Sequence, residues 1–159
     1  MQETTCCILG HREIIETKEL REQLYYMIEK LIIDKKVDTF LFGSKSQFNS
    51  LCYEIVTSIK EKYPHINRVY VRAEFPQIND NYKSYLLDSY EDTYYPEKLL
   101  GAGKAVYVER NCHMIDRSCF CMVYYRDSYS PRCRKSGTKL ALDYAIKKNK
   151  TVILFGPCC

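Results

Sequence analysis

Three short polar segments of this 159-residue chain contain residue types that bind phosphate. The first consists of Gly10, His11 and Arg12, the second of Gly43, Ser44, Lys45 and Ser46, and the third of Ser136, Gly137 and Thr138. Glycine lets the backbone approach a ligand closely, and hydroxyl groups donate hydrogen bonds to anionic oxygens. Each segment leads towards a predicted helix start, where free N–H groups and the helix dipole attract an anion. Together the segments predict a phosphate site.

The third segment is the most suggestive because a basic loop with Arg132, Arg134 and Lys135 precedes it. Ordinary alternatives stay open for single segments. Ser136 can be a helix cap that follows a solvated basic loop, and residues 10–12 can be an exposed glycine turn. The prediction of a binding site therefore rests on the three segments jointly.

Several common chemistries lack their motifs in this sequence. There is no GxGxxG, no GxxxxGK[ST] and no GxSxG, so we expect no bound cofactor and no serine nucleophile of the hydrolase type. The nine cysteines are odd in number and include no CxxC pair, and four of them fall in apolar runs: Cys6, Cys7, Cys119 and Cys121. We expect reduced core thiols and no metal site.

The elements that must position these segments follow from the hydrophobic pattern. Apolar runs predict strands at residues 4–9, 39–42, 68–73, 105–108, 118–125 and 151–155. Helical spacing predicts helices over residues 20–32, 48–59 and 111–117, and a last helix that begins near 136–138. Apolar strands separated by helices indicate an α/β fold, here a single Rossmann-like three-layer domain over residues 1–159 with a mostly parallel sheet. Ligands of such sheets bind at the carboxyl ends of the strands.

An irregular, tyrosine-rich excursion interrupts this pattern at about residues 77–103. It contains Tyr82, Tyr85, Tyr90, Tyr94 and Tyr95, and we expect one short helix in it at most. A tyrosine combines an apolar ring with a polar tip. The excursion therefore suits a lid, a contact between copies of the chain, or the cover of a satellite core.

Charge and hydropathy limit the expected partners. The 24 basic and 20 acidic residues leave a net charge of +4 spread along the chain, which is too small to imply duplex nucleic acid. No segment reaches the roughly 20 apolar residues of a membrane span, and the first residues lack the pattern of a signal peptide. We expect a cytoplasmic protein with no membrane partner, and we do not expect nucleic acid as its main partner.

Six segments resemble the YpsA-like branch of the SLOG superfamily. They are GHR (10–12), FLFGS (40–44), FNSLCYE (48–54), KEKYP (60–64), YVERNCHMIDRS (107–118) and SGTKLALDYA (136–145). The superfamily includes LOG-type nucleotide phosphoribohydrolases, DprA-like proteins and sensors of nucleotide-derived signals in bacterial antiviral systems. The resemblance implies a Rossmann-like fold, self-association into a homo-oligomer and a pocket for a nucleotide-derived small molecule.

The resemblance also implies site residues, position by position. One wall of the pocket would be Gly10, His11 and Arg12, the floor Gly43 and Ser44 with Lys45 beside them, and another wall Arg110, Asn111 and Met114. The phosphate would bind Ser136, Gly137 and Thr138, with Arg134 nearby. Arg110 has an independent rationale, because a planar guanidinium suits bidentate contact with phosphate. The alternative for Arg110 is an exposed arginine that flanks a helix.

Two departures from the family pattern argue against catalysis. Asn49 stands where related sequences often have a carboxylate, and Ala141 stands at the position of the LOG-type catalytic glutamate. An amide and a methyl group cannot act as general bases. If the protein is an enzyme, the candidates for acid or base are Glu109, Asp127 and His11.

Three functions stay open at this point. We prefer non-catalytic binding, as a sensor or a sequestering protein, of a nucleotide or a nucleotide-derived signalling molecule. The alternative is a nucleotide hydrolase or N-glycosidase. The third is an interaction module for protein or single-stranded nucleic acid, since the basic loop can contact phosphates and exposed tyrosines can stack on bases.

Overall fold

A computed structural model describes residues 4–97, 103, 105–126 and 136–156, in which helices and strands alternate. The strands of this part are β1 (Thr4–Gly10), β2 (Val37–Phe42), β3 (Asn67–Val71), β4 (Asp92–Tyr94), β5 (Phe120–Tyr124) and β6 (Thr151–Phe155). Its helices are α1 (Lys18–Lys35), α2 (Gln47–Lys60), α3 (Asp80–Leu87), α4 (Ala105–Asp116) and α5 (Gly137–Lys147).

The described strands form one parallel sheet in the order β4-β3-β2-β1-β5-β6. The chain builds the sheet outward from β1 to β4 and then returns to place β5 on the other side of β1. Cys7 of β1 consequently pairs with Leu41 of β2 and with Cys121 of β5. The strand order reverses between β1 and β5, and in open sheets of this kind the crevice at such a reversal holds the ligand.

Helices cover both faces of the sheet because successive strand residues point to opposite sides. Ile8 belongs to a core cluster with residues of α1 and α2, among them Phe48. Leu9, the next residue of β1, belongs to a second cluster with residues of α4 and α5, among them Ile115. The expected α/β class with three layers is confirmed. None of the described helices combines the length and hydropathy needed to cross a bilayer.

Polar caps begin four of the described helices. Thr17, Ser46, Asn79 and Ser136 each accept a hydrogen bond from the backbone N–H three residues later, at the starts of α1, α2, α3 and α5. A cap of this kind stabilises a helix by about 1 kcal/mol. Ser46 and Ser136 begin α2 and α5, whose N-termini lie at the carboxyl edge of the sheet.

The structure corrects the prediction for residues 105–117. The expected strand at 105–108 and short helix at 111–117 are one helix, α4. The β-branched residues Val106 and Val108 favoured a strand, but tertiary packing outweighs local propensity here. The buried residues Arg110, Met114 and Ile115 share one helical face, and α4 packs against α5 and β1.

The described part of the excursion, residues 77–97, is more regular than predicted. The expected short helix is α3, and β4 is an additional strand that pairs with β3 through Val69 and Asp92, among others. With three residues, β4 is too short to produce a recognisable apolar pattern. Tyr90 packs against Phe42 at 6.1 Å between ring centroids, so this tyrosine covers the core.

The cysteines of the described residues are free thiols, and they are Cys6, Cys7, Cys52, Cys112, Cys119 and Cys121. Burial raises the pKa of Cys6, Cys7 and Cys52, as expected for thiols packed in an apolar core. Cys119 departs from the prediction, because it precedes β5 and is exposed. No three metal-binding side chains of the described residues lie close enough together to hold a metal ion.

Candidate ligand-binding site at the carboxyl edge of the sheet

A cavity of about 660 Å³ opens at the carboxyl edge of the sheet, within the range of small-molecule sites. The loops after β1, β2 and β3 line it together with one face of α4 and the start of α5. The structure brings together at this cavity the predicted residues Gly10, His11, Arg12, Gly43, Ser44, Lys45, Arg110, Asn111, Ser136, Gly137 and Thr138.

The loop after β1 is fixed against α2. A Cβ atom on Gly10 would lie 2.5 Å from Cδ2 of Phe48, so α2 can pack here only because residue 10 is glycine. The carbonyl oxygen of Arg12 accepts a hydrogen bond from the N–H of Gln47 at 2.9 Å. This bond uses a free N–H of the first turn of α2 and leaves the exposed Arg12 side chain at the rim of the cavity.

His11 joins the same loop to the end of β5. Its Nε2 lies 3.3 Å from the carbonyl oxygen of Arg126, and its ring lies 5.4 Å from the ring of Tyr125. These contacts give the half-buried imidazole a structural role in closing one wall. His11 lines the cavity.

The loop after β2 is held by a network around Asn49, which is only 3% exposed. The Oδ1 atom of Asn49 accepts a hydrogen bond from the N–H of Gly43, and its Nδ2 donates to Oγ of Ser46 at 3.0 Å. Ser44 donates to the same Ser46 oxygen at 3.0 Å. An amide supplies both a donor and an acceptor, which a carboxylate cannot do, so Asn49 serves here as a brace for the loop.

Gly43 lets α4 approach the end of β2. A Cβ atom at this position would lie 2.6 Å from Sδ of Met114 and 2.9 Å from Nε of Arg110. Met114 is fully buried beneath the loop and does not line the cavity, which corrects its expected place on a wall. Arg110 does line the cavity, and its side chain passes over Gly43.

Arg110 is the most unusual polar residue of the site. It is 5% exposed, and its Nε donates no hydrogen bond to any described residue. Burial lowers the pKa of its guanidinium to about 10, and the nearby Tyr70 and Glu74 oppose part of this shift. The guanidinium carbon lies 5.7 Å from the ring centre of Tyr107. The alternative of an exposed arginine beside a helix is therefore wrong.

The start of α5 also lines the cavity, through Ser136, Gly137 and Thr138. Ser136 accepts a hydrogen bond from the N–H of Lys139 at 3.0 Å and so is a helix cap, as the ordinary alternative held. The N–H groups of Gly137 and Thr138 have no acceptor among the described residues. A Cβ atom on Gly137 would meet no atom of the described residues within 4 Å.

The loop after β3 contributes lining residues that the sequence analysis missed. They are Arg72, Ala73, Glu74 and Phe75, with Tyr70 from β3 itself and Tyr82 from α3. The rule that ligands bind at the carboxyl ends of strands applies to β3 as much as to β1 and β2. It would have selected residues 72–75, but this segment has no glycine or hydroxyl signal and lies before the excursion.

Comparisons with known proteins give one informative result. No protein-family model matches the sequence, and no curated protein matches it. The fold is similar to that of DNA processing protein A from Helicobacter pylori. The two structures match with a TM-score of 0.62 at 15% sequence identity, over 99% of this chain and 67% of that chain. The work on the Helicobacter protein concerns how it binds single-stranded DNA. At this identity the likeness to DNA processing protein A is one of fold.

The remaining predicted residues lie away from the cavity or outside the described residues. Glu109 is half-buried on α4 and does not line the cavity. Ala141 is buried in the core cluster of α4 and α5, so this position also does not line the cavity. Arg134 and Asp127 lie outside the part of the chain that the structure describes.

The charges that line the cavity favour an anion. The cationic side chains among the described lining residues are those of Arg12, Lys45, Arg72 and Arg110, against the single carboxylate of Glu74. The aromatic rings of Tyr70, Phe75, Tyr82 and Tyr107 share the lining with them. Cations bind phosphate oxygens, and aromatic rings stack on bases. The arrangement can therefore bind a molecule that carries both groups.

Proposed function

We propose that the cavity binds a nucleotide or a nucleotide-derived molecule, and that Arg110 is the main contact of its phosphate. The observation that carries the proposal is the combination of burial and an unused donor at Arg110. A buried donor without a partner costs about 1–3 kcal/mol, and more when the group is charged. A phosphate oxygen would supply both the missing acceptor and the missing negative charge.

Binding without turnover is the form of this proposal that the residues support. Asn49 is occupied as a brace of the β2 loop, and Ala141 is packed in the core. Glu74 is the one carboxylate among the described lining residues, whereas acid and base catalysis usually divides its two roles between groups whose pKa values differ. We infer a sensor or a sequestering protein, with nucleotide hydrolysis as the alternative.

We also propose that the chain belongs to the SLOG superfamily. DprA-like proteins are one of its groups, so the likeness in fold to DNA processing protein A supports this assignment. The YpsA-like branch rests on the sequence segments alone. Self-association, a role in antiviral defence and a cytoplasmic location rest on sequence in the same way and stay predictions.

Calorimetric titration of the whole chain with a panel of nucleotides tests the binding function. Arg110→Ala should weaken the binding of any nucleotide by about 10- to 100-fold, since a hydrogen bond to a charged group contributes about 1.5–3 kcal/mol. The affinity of Arg110→Lys should lie between those of the wild type and Arg110→Ala, because lysine keeps the charge but lacks the planar guanidinium. Arg117→Ala is the matched control, an arginine just past α4 that does not line the cavity. A folded sample that binds no nucleotide would rule the function out.

A second candidate function is the binding of single-stranded DNA, which the likeness to DNA processing protein A favours. The same likeness argues against the expectation that nucleic acid is an unlikely partner. The cavity supplies the two components of such sites, cations for the backbone and aromatic rings for the bases. A strand of DNA and a free nucleotide would use the same lining residues.

Fluorescence anisotropy with a labelled oligothymidylate separates the two candidates. If DNA is the ligand, affinity should fall steeply as salt rises, because each phosphate contact releases counterions. Lys45→Ala should then reduce the slope of log K against log salt by about 0.7, the value for one contact on a single strand. If a free nucleotide is the ligand, the oligonucleotide should bind weakly and the nucleotide should displace it.

A further inference from the structure

A strained aromatic residue lies at the cavity beyond the end of β3. Phe75 has a φ of 61°, in the left-handed region that bulky side chains rarely adopt. The residue is 58% exposed although it lines the cavity. Backbone strain of this kind persists only where surrounding contacts enforce it, and it is concentrated at functional sites.

Arg72 holds Phe75 in this conformation. The Nε of Arg72 donates a hydrogen bond to the carbonyl oxygen of Phe75 at 3.2 Å, and its Nη1 donates to Oγ1 of Thr93 at 3.1 Å. The backbone N–H of Arg72 donates to the carbonyl oxygen of Tyr94 at 2.9 Å. The guanidinium therefore ties the phenylalanine to β4, so the ring is presented by the rigid sheet.

A second ring completes the surface. Tyr82, at the start of α3, lies edge to face with Phe75, with 6.3 Å between centroids and 74° between the ring planes. Both rings line the cavity that contains Arg110. A planar group stacked on the face of one ring would meet the edge of the other, which is a favourable arrangement for aromatic groups.

We propose that Phe75 and Tyr82 form the subsite for the base of the bound nucleotide, while Arg110 binds its phosphate. This assignment rests on the proposed function and deepens it. Tyr70, near the end of β3, lines the same cavity as both groups. The ligand would therefore lie across the ends of β2 and β3, from α4 towards α3.

The test compares ligands with and without a base. Nucleoside 5′-monophosphates should bind the wild-type chain about tenfold or more tightly than ribose 5-phosphate, which matches the usual contribution of one stacked base. Phe75→Gly and Tyr82→Ala should reduce this ratio towards one and leave ribose 5-phosphate affinity unchanged. Glycine is chosen at position 75 because it adopts a positive φ without strain, so the variant should fold.

Two further variants test whether an aromatic ring at the cavity is responsible for the ratio. Phe75→Trp keeps an aromatic face and should restore the ratio, whereas Tyr26→Ala removes an exposed tyrosine on α1, outside the cavity, and should not change it. The base subsite would be wrong, and the phosphate site retained, if the wild type bound both classes of ligand with equal affinity and Arg110→Ala bound neither. If neither class binds, the proposed function fails and the subsite fails with it.

Discussion

The helices α2 and α5 both begin at the cavity, but their first turns differ in what remains unused. Each cap accepts a hydrogen bond from the N–H three residues later, that of Asn49 in α2 and that of Lys139 in α5. The first N–H of α2, that of Gln47, also donates to the carbonyl oxygen of Arg12, whereas the first N–H of α5, that of Gly137, has no acceptor among the described residues. Both starts have a serine cap, and the sequence made both candidates for phosphate binding. The first N–H of α2 is used by the fold, whereas we propose that the first turn of α5 contacts the ligand.

The glycines beside the two helices differ in the same way. Gly10 and Gly43 are enclosed by side chains that a Cβ atom would contact at 2.5–2.6 Å, whereas the position of Gly137 is open. A glycine near a phosphate loop can thus serve either of two purposes. At Gly10 and Gly43 the missing side chain lets other side chains of the protein pack closely. At Gly137 it leaves space that a ligand can use.

Gly10→Ala should have the largest effect of any change that tests this comparison. The new methyl group would collide with the Cδ2, Cγ and Cβ atoms of Phe48, which is fully buried and packs against Tyr124 and Phe155. Overpacking of a close-packed core costs typically 1–3 kcal/mol, and we expect about 3 kcal/mol here. Urea denaturation followed by circular dichroism measures the loss. A loss below about 1 kcal/mol would mean that α2 can shift and that its start is not fixed.

Asn49→Ala should have the next largest effect on stability. It removes the acceptor of the Gly43 N–H and a donor to Ser46 in a buried place, so the free energy of unfolding should fall by about 2 kcal/mol. Asn81→Ala, at an exposed site on α3, is the control and should change stability by less than about 0.5 kcal/mol. Equal losses in the two variants would contradict the role of Asn49 as a brace.

The extent to which sequence predicted this molecule differs between the fold and the site. The repeated apolar runs predicted β1, β2 and β5 closely, because each is a central strand buried on both faces of a parallel sheet. They also predicted β6, an edge strand whose sequence is apolar although only Phe155 is buried. They missed β4, whose three residues lie at the edge of the sheet, and they divided α4 in two. In both cases the deciding contacts are tertiary, with β3 for the strand and with α5 for the helix.

Residues that line the cavity and have a local signature were named from the sequence, and those without one were not. Glycine, hydroxyl and basic residues after β1 and β2 and before α5 pointed to the cavity that the structure contains. Phe75 had no such signature, since its positive φ and its hydrogen bond from Arg72 are features of the folded chain. Met114 was misplaced because one turn of helix separates it from Arg110, and only the packing under Gly43 decides which of them faces the cavity.

Arg110→Met should stabilise the unliganded protein by about 1–2 kcal/mol, the opposite direction to Asn49→Ala. Replacing a buried charge that has no compensating partner with an apolar side chain of similar length removes its desolvation cost. The same variant should lose nucleotide binding. Thermal denaturation and calorimetry measure the two effects, and a variant that is less stable than the wild type would show that Arg110 has a structural partner.

The pH dependence of this stabilisation has a defined sign. Burial lowers the pKa of Arg110 in the folded protein to about 10, well below the usual value of a guanidinium. The folded chain therefore releases this proton first, and the cost of the buried charge is fully present below about pH 10 and decreases as pH rises through that value. The stability difference between Arg110→Met and the wild type should stay constant between about pH 6 and pH 9. A difference that already shrinks in this range would point to another titrating group.

Gly137→Ala should have the smallest effect on stability and the most informative effect on binding. Residue 137 does not have a positive φ, and its Cβ position is open, so alanine should stabilise the first turn of α5 by up to about 1 kcal/mol through its higher helix propensity. If the phosphate binds at this turn, the methyl group would occupy its space, and nucleotide affinity should fall about tenfold while the melting temperature stays equal or rises. Gly10→Ala is the matched comparison, since the same added methyl group should there reduce stability. Unchanged affinity in a stable Gly137→Ala protein would place the phosphate at Arg110 alone and leave the free N–H groups of α5 to water.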